Sequence, residues 1–180
     1  MRILREDSIG LVIDIQERLF PHIDQNEMLE RNTAILIQGL KQLGIPMIIT
    51  EQYSKGLGPT IETLRPLLSD THPIEKMSFS CCGVGDVISE LKRAGRRQVI
   101  ILGIETHVCV LQTTLDLLEL GYQPVVIEDC VSSRKPGDKK TALQRMVQSG
   151  AIISSCESVL FELCRTAGTV EFKTISKLVK

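Results

Sequence analysis

Gln98-Val99-Ile100-Ile101-Leu102-Gly103-Ile104-Glu105-Thr106-His107-Val108-Cys109-Val110 decides how this chain reads, because an apolar run passes within a few residues into the start of a helical pattern. Gln98–Leu102 lacks polar alternation, as a strand covered on both faces does. Cys109 then falls at a strand-to-helix turn. Backbone N–H groups at a helix start are unpaired, and the positive end of the helix dipole favours a thiolate there. These effects predict that Cys109 is the most acidic of the six thiols. Read by itself, Cys109 equally suits a buried cysteine serving as a small hydrophobe.

Working outward, similar strand signals occur at Ile9–Ile15, Pro46–Thr50 and Gln123–Ile127, with a short one at Ala151–Ser154 and an ambiguous extended piece within Pro73–Phe79. Helical patterns alternate with them. Glu27–Leu43 puts Leu29, Leu36, Leu40 and Leu43 on one face, and Gly44-Ile45-Pro46 stops it. Asp86–Ala94, Asp138–Ser149, Ser158–Ala167 and Glu171–Val179 read as further helices. The alternation predicts an α/β fold, a three-layer open sandwich with a mostly parallel six-stranded sheet and right-handed crossovers, as one domain over residues 1–180. In such sheets ligands bind beyond the carboxyl ends of the strands where strand order reverses. Asp14 ends the first strand and Cys109 follows a central one, and in the common doubly wound order those two strands are neighbours across the reversal.

Composition excludes several function classes. With 180 residues, 43% hydrophobic, 24% charged and a formal charge of −1, the chain has the profile of a globular domain with a full core. It lacks the basic surplus of nucleic-acid or anionic-membrane binders, so neither is expected as a partner. No apolar stretch reaches membrane length, and a cytoplasmic protein is expected. The cysteines, Cys81, Cys82, Cys109, Cys130, Cys156 and Cys164, form no Cys-x-x-Cys pair and predict neither a zinc nor a disulfide framework.

Val12-Ile13-Asp14-Ile15-Gln16 sets a carboxylate at the end of an apolar strand, where burial is costly unless the charge is paired or used. A cap or a salt bridge would also account for it. Lys76, in Ile74-Glu75-Lys76-Met77-Ser78-Phe79, has a surface lysine paired with Glu75 as its plain alternative. Gly83-Val84-Gly85-Asp86 lacks the third glycine of a dinucleotide fingerprint and reads as a tight turn. No phosphate loop supports magnesium chemistry at Asp14 with Asp7 or Asp129.

Together, Asp14, Lys76 and Gly103-Ile104-Glu105-Thr106-His107-Val108-Cys109-Val110 resemble the aspartate–lysine–cysteine triad of the isochorismatase-like cysteine hydrolases. The likeness extends over nearly the whole chain, through Thr50-Glu51-Gln52-Tyr53, Gly56-Leu57-Gly58-Pro59-Thr60 and Glu128-Asp129-Cys130-Val131-Ser132-Ser133, the last expected to follow the fifth strand. The subgroup it resembles is the isochorismatase domain-containing proteins.

That resemblance implies that Cys109 is the nucleophile, Asp14 its base and Lys76 the cation that holds both. It also implies an oxyanion hole from the backbone N–H groups of Glu105 and Cys109, with a cis Ile104-Glu105 peptide. Gln16, Tyr53 and Phe79 are expected around the substrate. Nicotinamidases of the family bind a metal after the second strand through an aspartate and histidines, whereas this chain has Glu51-Gln52-Tyr53 there and scatters His22, His72 and His107. No metal and no cofactor are therefore expected, and His107 is expected to be structural or pocket-lining. The implied activity is metal-independent hydrolysis of a C–N bond in a small amide, ureide or carbamoyl compound through a Cys109 thioester, and the alternative is a non-catalytic scaffold that keeps the fold. A small-molecule substrate and a homo-oligomer, built on Tyr53–Pro59 and Glu171–Lys180, complete the expected partners.

Overall fold

The computed structural model describes residues 1–180. Six strands, β1 (Ser8–Ile13), β2 (Met47–Gln52), β3 (Ile74–Lys76), β4 (Gln98–Ile104), β5 (Gln123–Ser132) and β6 (Ile152–Ser154), form one sheet in the order β3-β2-β1-β4-β5-β6, and every pairing is parallel. The order reverses between β1 and β4, where Ile13 is in register with Gly103.

Alternate residues of each strand enter opposite layers. Ile9, Leu11 and Ile13 of β1, with Val99 and Ile101 of β4, pack under α3 (Gly85–Ala94), α4 (Leu111–Glu119) and α5 (Pro136–Gln148). Val12, Ile100 and Leu102 face the other way, against α1 (Asn26–Gln42), α6 (Cys156–Cys164) and α7 (Val170–Leu178). Both faces are thus covered, which is why these strands read as continuous apolar runs. Each fully buried Leu or Ile contributes about 1.5–3 kcal/mol relative to exposure, so the layers rest mainly on this burial. The short α2 (Ser54–Leu57), after β2, was not legible as a helix.

Two expected boundaries are corrected. Glu128-Asp129-Cys130-Val131-Ser132 belongs to β5 rather than following it, because β5 bulges: its advance from Val126 to Val131 matches only Ile101 to Gly103 on β4. The second is the end of β1, expected at Ile15, whereas the short extended piece expected within Pro73–Phe79 is present as Ile74–Lys76, with Lys76 the last residue of this edge. β1 ends at Ile13, one residue before Asp14 takes a left-handed conformation (φ 53°). Aspartate tolerates that region better than most side chains.

Candidate active site

Asp14, Lys76 and Cys109 meet beyond the carboxyl ends of β1, β3 and β4. Asp14 Oδ2 lies 2.6 Å from Lys76 Nζ, and neither side chain has exposed surface. Thr50 Oγ1, within β2, donates to Asp14 Oδ1 at 2.7 Å. Lys76 Nζ also donates to Gln52 Oε1 (2.7 Å), Phe79 O (3.0 Å) and Ser78 O (3.1 Å). An ammonium has three N–H groups, so these four acceptors use all of them. Lys76 is a fixed charge with no donor left for a ligand.

Cys109 lies in a single π-helical turn, Thr106–Val110, that leads into α4, and only 6% of it is exposed. The turn follows Gly103 (φ 132°), where a Cβ would stand 2.1 Å from the Ile13 carbonyl oxygen. Only glycine lets β4 run this close to the end of β1, and that approach brings the cysteine turn up to Asp14. The Ile104–Glu105 peptide is cis, and the Glu105 N–H takes part in none of the protein's hydrogen bonds. The Glu105 carboxylate is buried and accepts from Arg134 N (3.1 Å) and Arg134 Nε (3.0 Å).

The acidities differ from those expected. Burial, then the charge of Asp14, pushes the Cys109 thiol up to about 12, although Lys76 pulls it down. Cys109 is therefore not set apart as an acidic thiol: it is raised, as Cys81 is, chiefly by burial. The reason is that Lys76 already has a carboxylate partner, whose own charge opposes a second anion. Burial raises the Asp14 carboxyl above its ordinary range, against the pull of Lys76, Thr50 and Cys109. Lys76 is held above its usual value: burial works against its charge, but Asp14 and the thiolate forms of Cys109 and Cys81 outweigh it. The directions agree with the geometry: Lys76 holds its charge against Asp14 at 2.6 Å, and burial keeps the proton on the Cys109 sulfur.

The expected pocket residues divide. The Gln16 amide is buried and spent within the protein: Nε2 donates to Gly58 O (2.7 Å) and Gln52 O (2.9 Å), while Oε1 accepts from Gln52 N (2.7 Å). It clamps the end of β1 to the segment after β2, and the expectation that it faces a substrate is corrected. Tyr53 and Phe79 are 47% and 53% exposed. His107 Nδ1 is 2.9 Å from Ser133 Oγ, so its ring is tied to the loop after β5. Three further residues complete the site and went unrecognised: Thr50 and Gln52, which hold Asp14 and Lys76, and Cys81, whose Sγ is 3.6 Å from Thr50 Oγ1. No three His, Cys, Asp or Glu side chains are grouped to hold a metal ion. A groove of about 900 Å3 lies elsewhere, along Met47, Ile74, Glu90 and Arg93, and none of the three central residues lines it.

Comparison with known proteins gives this arrangement its relatives. Isochorismatase family protein 1B of Dictyostelium discoideum is 40% identical over 99% of this chain and 89% of its own length. Among solved structures, MAR1 ribonuclease from Caenorhabditis elegans superposes with a TM-score of 0.94 at 39% identity, covering 99% of this chain and 92% of that one. YcaC from Pseudomonas aeruginosa, solved with hexane-2,5-diol and covalent acrylamide, gives a TM-score of 0.92 at 26% identity, covering 98% and 91%. The family model for the isochorismatase domain matches residues 8–158, which span β1 to the start of α6 and all three residues of the cluster, and the chain belongs to that family.

Proposed function

We propose that this protein is a metal-independent cysteine hydrolase that cleaves the C–N bond of a small amide, ureide or carbamoyl compound. The observation that carries the reading is the buried Asp14 side chain, 2.6 Å from the Lys76 ammonium and in hydrogen-bonding reach of the Cys109 thiol. A hydrolase role accords with membership of the family.

In the proposed reaction Cys109 Sγ attacks the carbonyl carbon while its proton passes to Asp14. The new S–C bond leaves an oxyanion, which the N–H groups of Glu105 and Cys109 receive. Collapse breaks the C–N bond, and Asp14 returns the proton to the departing amine. Water then gives a proton to Asp14 and attacks the thioester; the C–S bond breaks, and Asp14 reprotonates the sulfur. A raised carboxyl suits this cycle, because a base that must take a thiol proton needs affinity for it. Lys76 keeps the total charge of the pair in check throughout and gives up no proton.

The test is covalent trapping. Acrylamide, which one relative carries covalently, and a library of small amides are incubated with the protein and adducts are mapped by mass spectrometry. Modification of Cys109, with turnover lost in Cys109→Ala and unchanged by chelators, is the expected result. An inert Cys109 in the folded protein would favour the scaffold alternative. The name of the Caenorhabditis elegans relative makes RNA a necessary control. Intact RNA is expected, since the net charge is −1 and Lys76 has no N–H free for a phosphate.

Self-association belongs to the same proposal, with Tyr53 47% exposed in the first of the two segments and Val170, 74% exposed, immediately before the second. Light scattering at micromolar concentration is expected to give more than the monomer mass. A monomer there would remove the idea.

A further inference from the structure

Thr50 Oγ1 stands between two groups of the site, 2.7 Å from Asp14 Oδ1 and 3.6 Å from Cys81 Sγ, and none of the three residues has exposed surface. A hydroxyl has one proton to give. The ionised carboxylate can only accept, so that proton goes to Asp14, and the lone pair of Thr50 is left for the Cys81 S–H. Cys81 is itself held, its N–H donating to Thr113 Oγ1 of α4 at 2.9 Å. A chain of hydrogen bonds therefore links the helical layer to the carboxylate: the Cys81 backbone is anchored on Thr113 of α4, its S–H is directed to Thr50, and Thr50 donates to Oδ1, so that Oδ2 faces Lys76.

We propose that Thr50 is a positioning residue for Asp14 and that the buried Cys81 thiol is its orienter, a role separate from that of the nucleophilic Cys109. The inference rests on the reading of Asp14 as the base. The titratable groups that face Asp14 are Lys76 from β3, Cys109 from the turn after β4 and Cys81 from the turn before α3. A donor to the charged form of a carboxylate favours that form. Loss of the Thr50 hydroxyl thus makes Asp14 harder to ionise and a stronger acceptor for the Cys109 proton.

The experiment is the rate of Cys109 alkylation by iodoacetamide across pH, read at that residue by mass spectrometry. In the native protein the rate is expected to climb through the ionisation of Asp14 to a low plateau and to climb again in alkali. In Thr50→Val the acid limb is expected to move up by about one pH unit, because one hydrogen bond to the carboxylate is gone. Thr50→Ser, which keeps the hydroxyl, is expected to retain the native limb, and Cys81→Ala to move it by less in the same direction. Native limbs in both Thr50→Val and Cys81→Ala, or a Thr50→Ser limb displaced as far as that of Thr50→Val, overturn the proposal. Should Thr50→Val fail to fold, Cys81→Ala decides: a native limb there overturns the relay and an upward shift supports it. A native protein without any acid limb removes the Asp14 base and this inference together, whereas a native limb that no variant moves removes the relay alone.

Discussion

Lys76→Met is expected to destabilise the protein by about 3–5 kcal/mol, the usual consequence of leaving one member of a buried ion pair alone. Asp14 and Lys76 are both without exposed surface and 2.6 Å apart, so no water can take the place of the missing ammonium. At roughly 2–4 °C per kcal/mol for a chain of this size, the melting temperature should fall by about 10 °C. The loss should shrink in acid. Asp14 is already raised by burial, and without Lys76 it rises further, so the folded state holds the proton more tightly than the unfolded chain. That contribution to stability is present at low pH and disappears as pH rises from about 3.9, the unfolded value, through the folded one. Asp14→Asn combined with Lys76→Met removes both charges while keeping a side chain that tolerates the left-handed backbone at position 14, and it is expected to recover most of the lost stability, since much of the cost of breaking a buried pair is the charge left unpaired. Calorimetry that finds Lys76→Met as stable as the native protein at pH 7 would show that the pair is not what holds the ends of β1 and β3 together.

The strands that build the site were legible because each is buried on both faces and therefore carries no polar interruption. Ile9 to Ile13 and Val99 to Leu102 could be read as neighbours from the alternation of strands and helices alone. The β5 bulge could not, since Glu128 and Asp129 have the composition of a turn, and only the register with β4 shows the strand resuming at Val131. Thr50, Gln52 and Cys81 left no mark for a related reason: each acts on a side chain from another element, an adjacency set by the sheet order for Thr50 and Gln52 and by the turn before α3 for Cys81. Gln16 was misread because an amide at a strand end looks the same whether it faces a ligand or, as here, three backbone groups. The thiol acidity was missed because a helix start and a lysine were counted, while the carboxylate that already occupies that lysine was not.

Asp14→Asn is expected to separate reactivity from catalysis: Cys109 should alkylate faster near pH 8 while turnover falls by about 10²–10⁴-fold, the range for loss of a general base. Burial and then the Asp14 charge hold the native thiol near 12, and Lys76 acts in the opposite direction. Asparagine removes the charge but keeps an oxygen able to face Lys76, so the ammonium is left to stabilise a thiolate without competition. In the native protein the reactive form, thiolate beside protonated Asp14, is a minor tautomer; in the variant it becomes the ordinary product of deprotonation. Each unit by which the thiol falls toward the working pH gives up to about tenfold more thiolate, so a gain of tenfold or more in alkylation is expected. Hydrolysis does not share the gain. It needs a group that takes a proton from sulfur, gives it to the amine and then takes one from water, and an amide performs none of these steps. Slower alkylation in Asp14→Asn would mean that the carboxylate promotes thiolate formation in the resting enzyme, and the assignment of Asp14 as the group that keeps the proton on sulfur until a substrate arrives would be wrong.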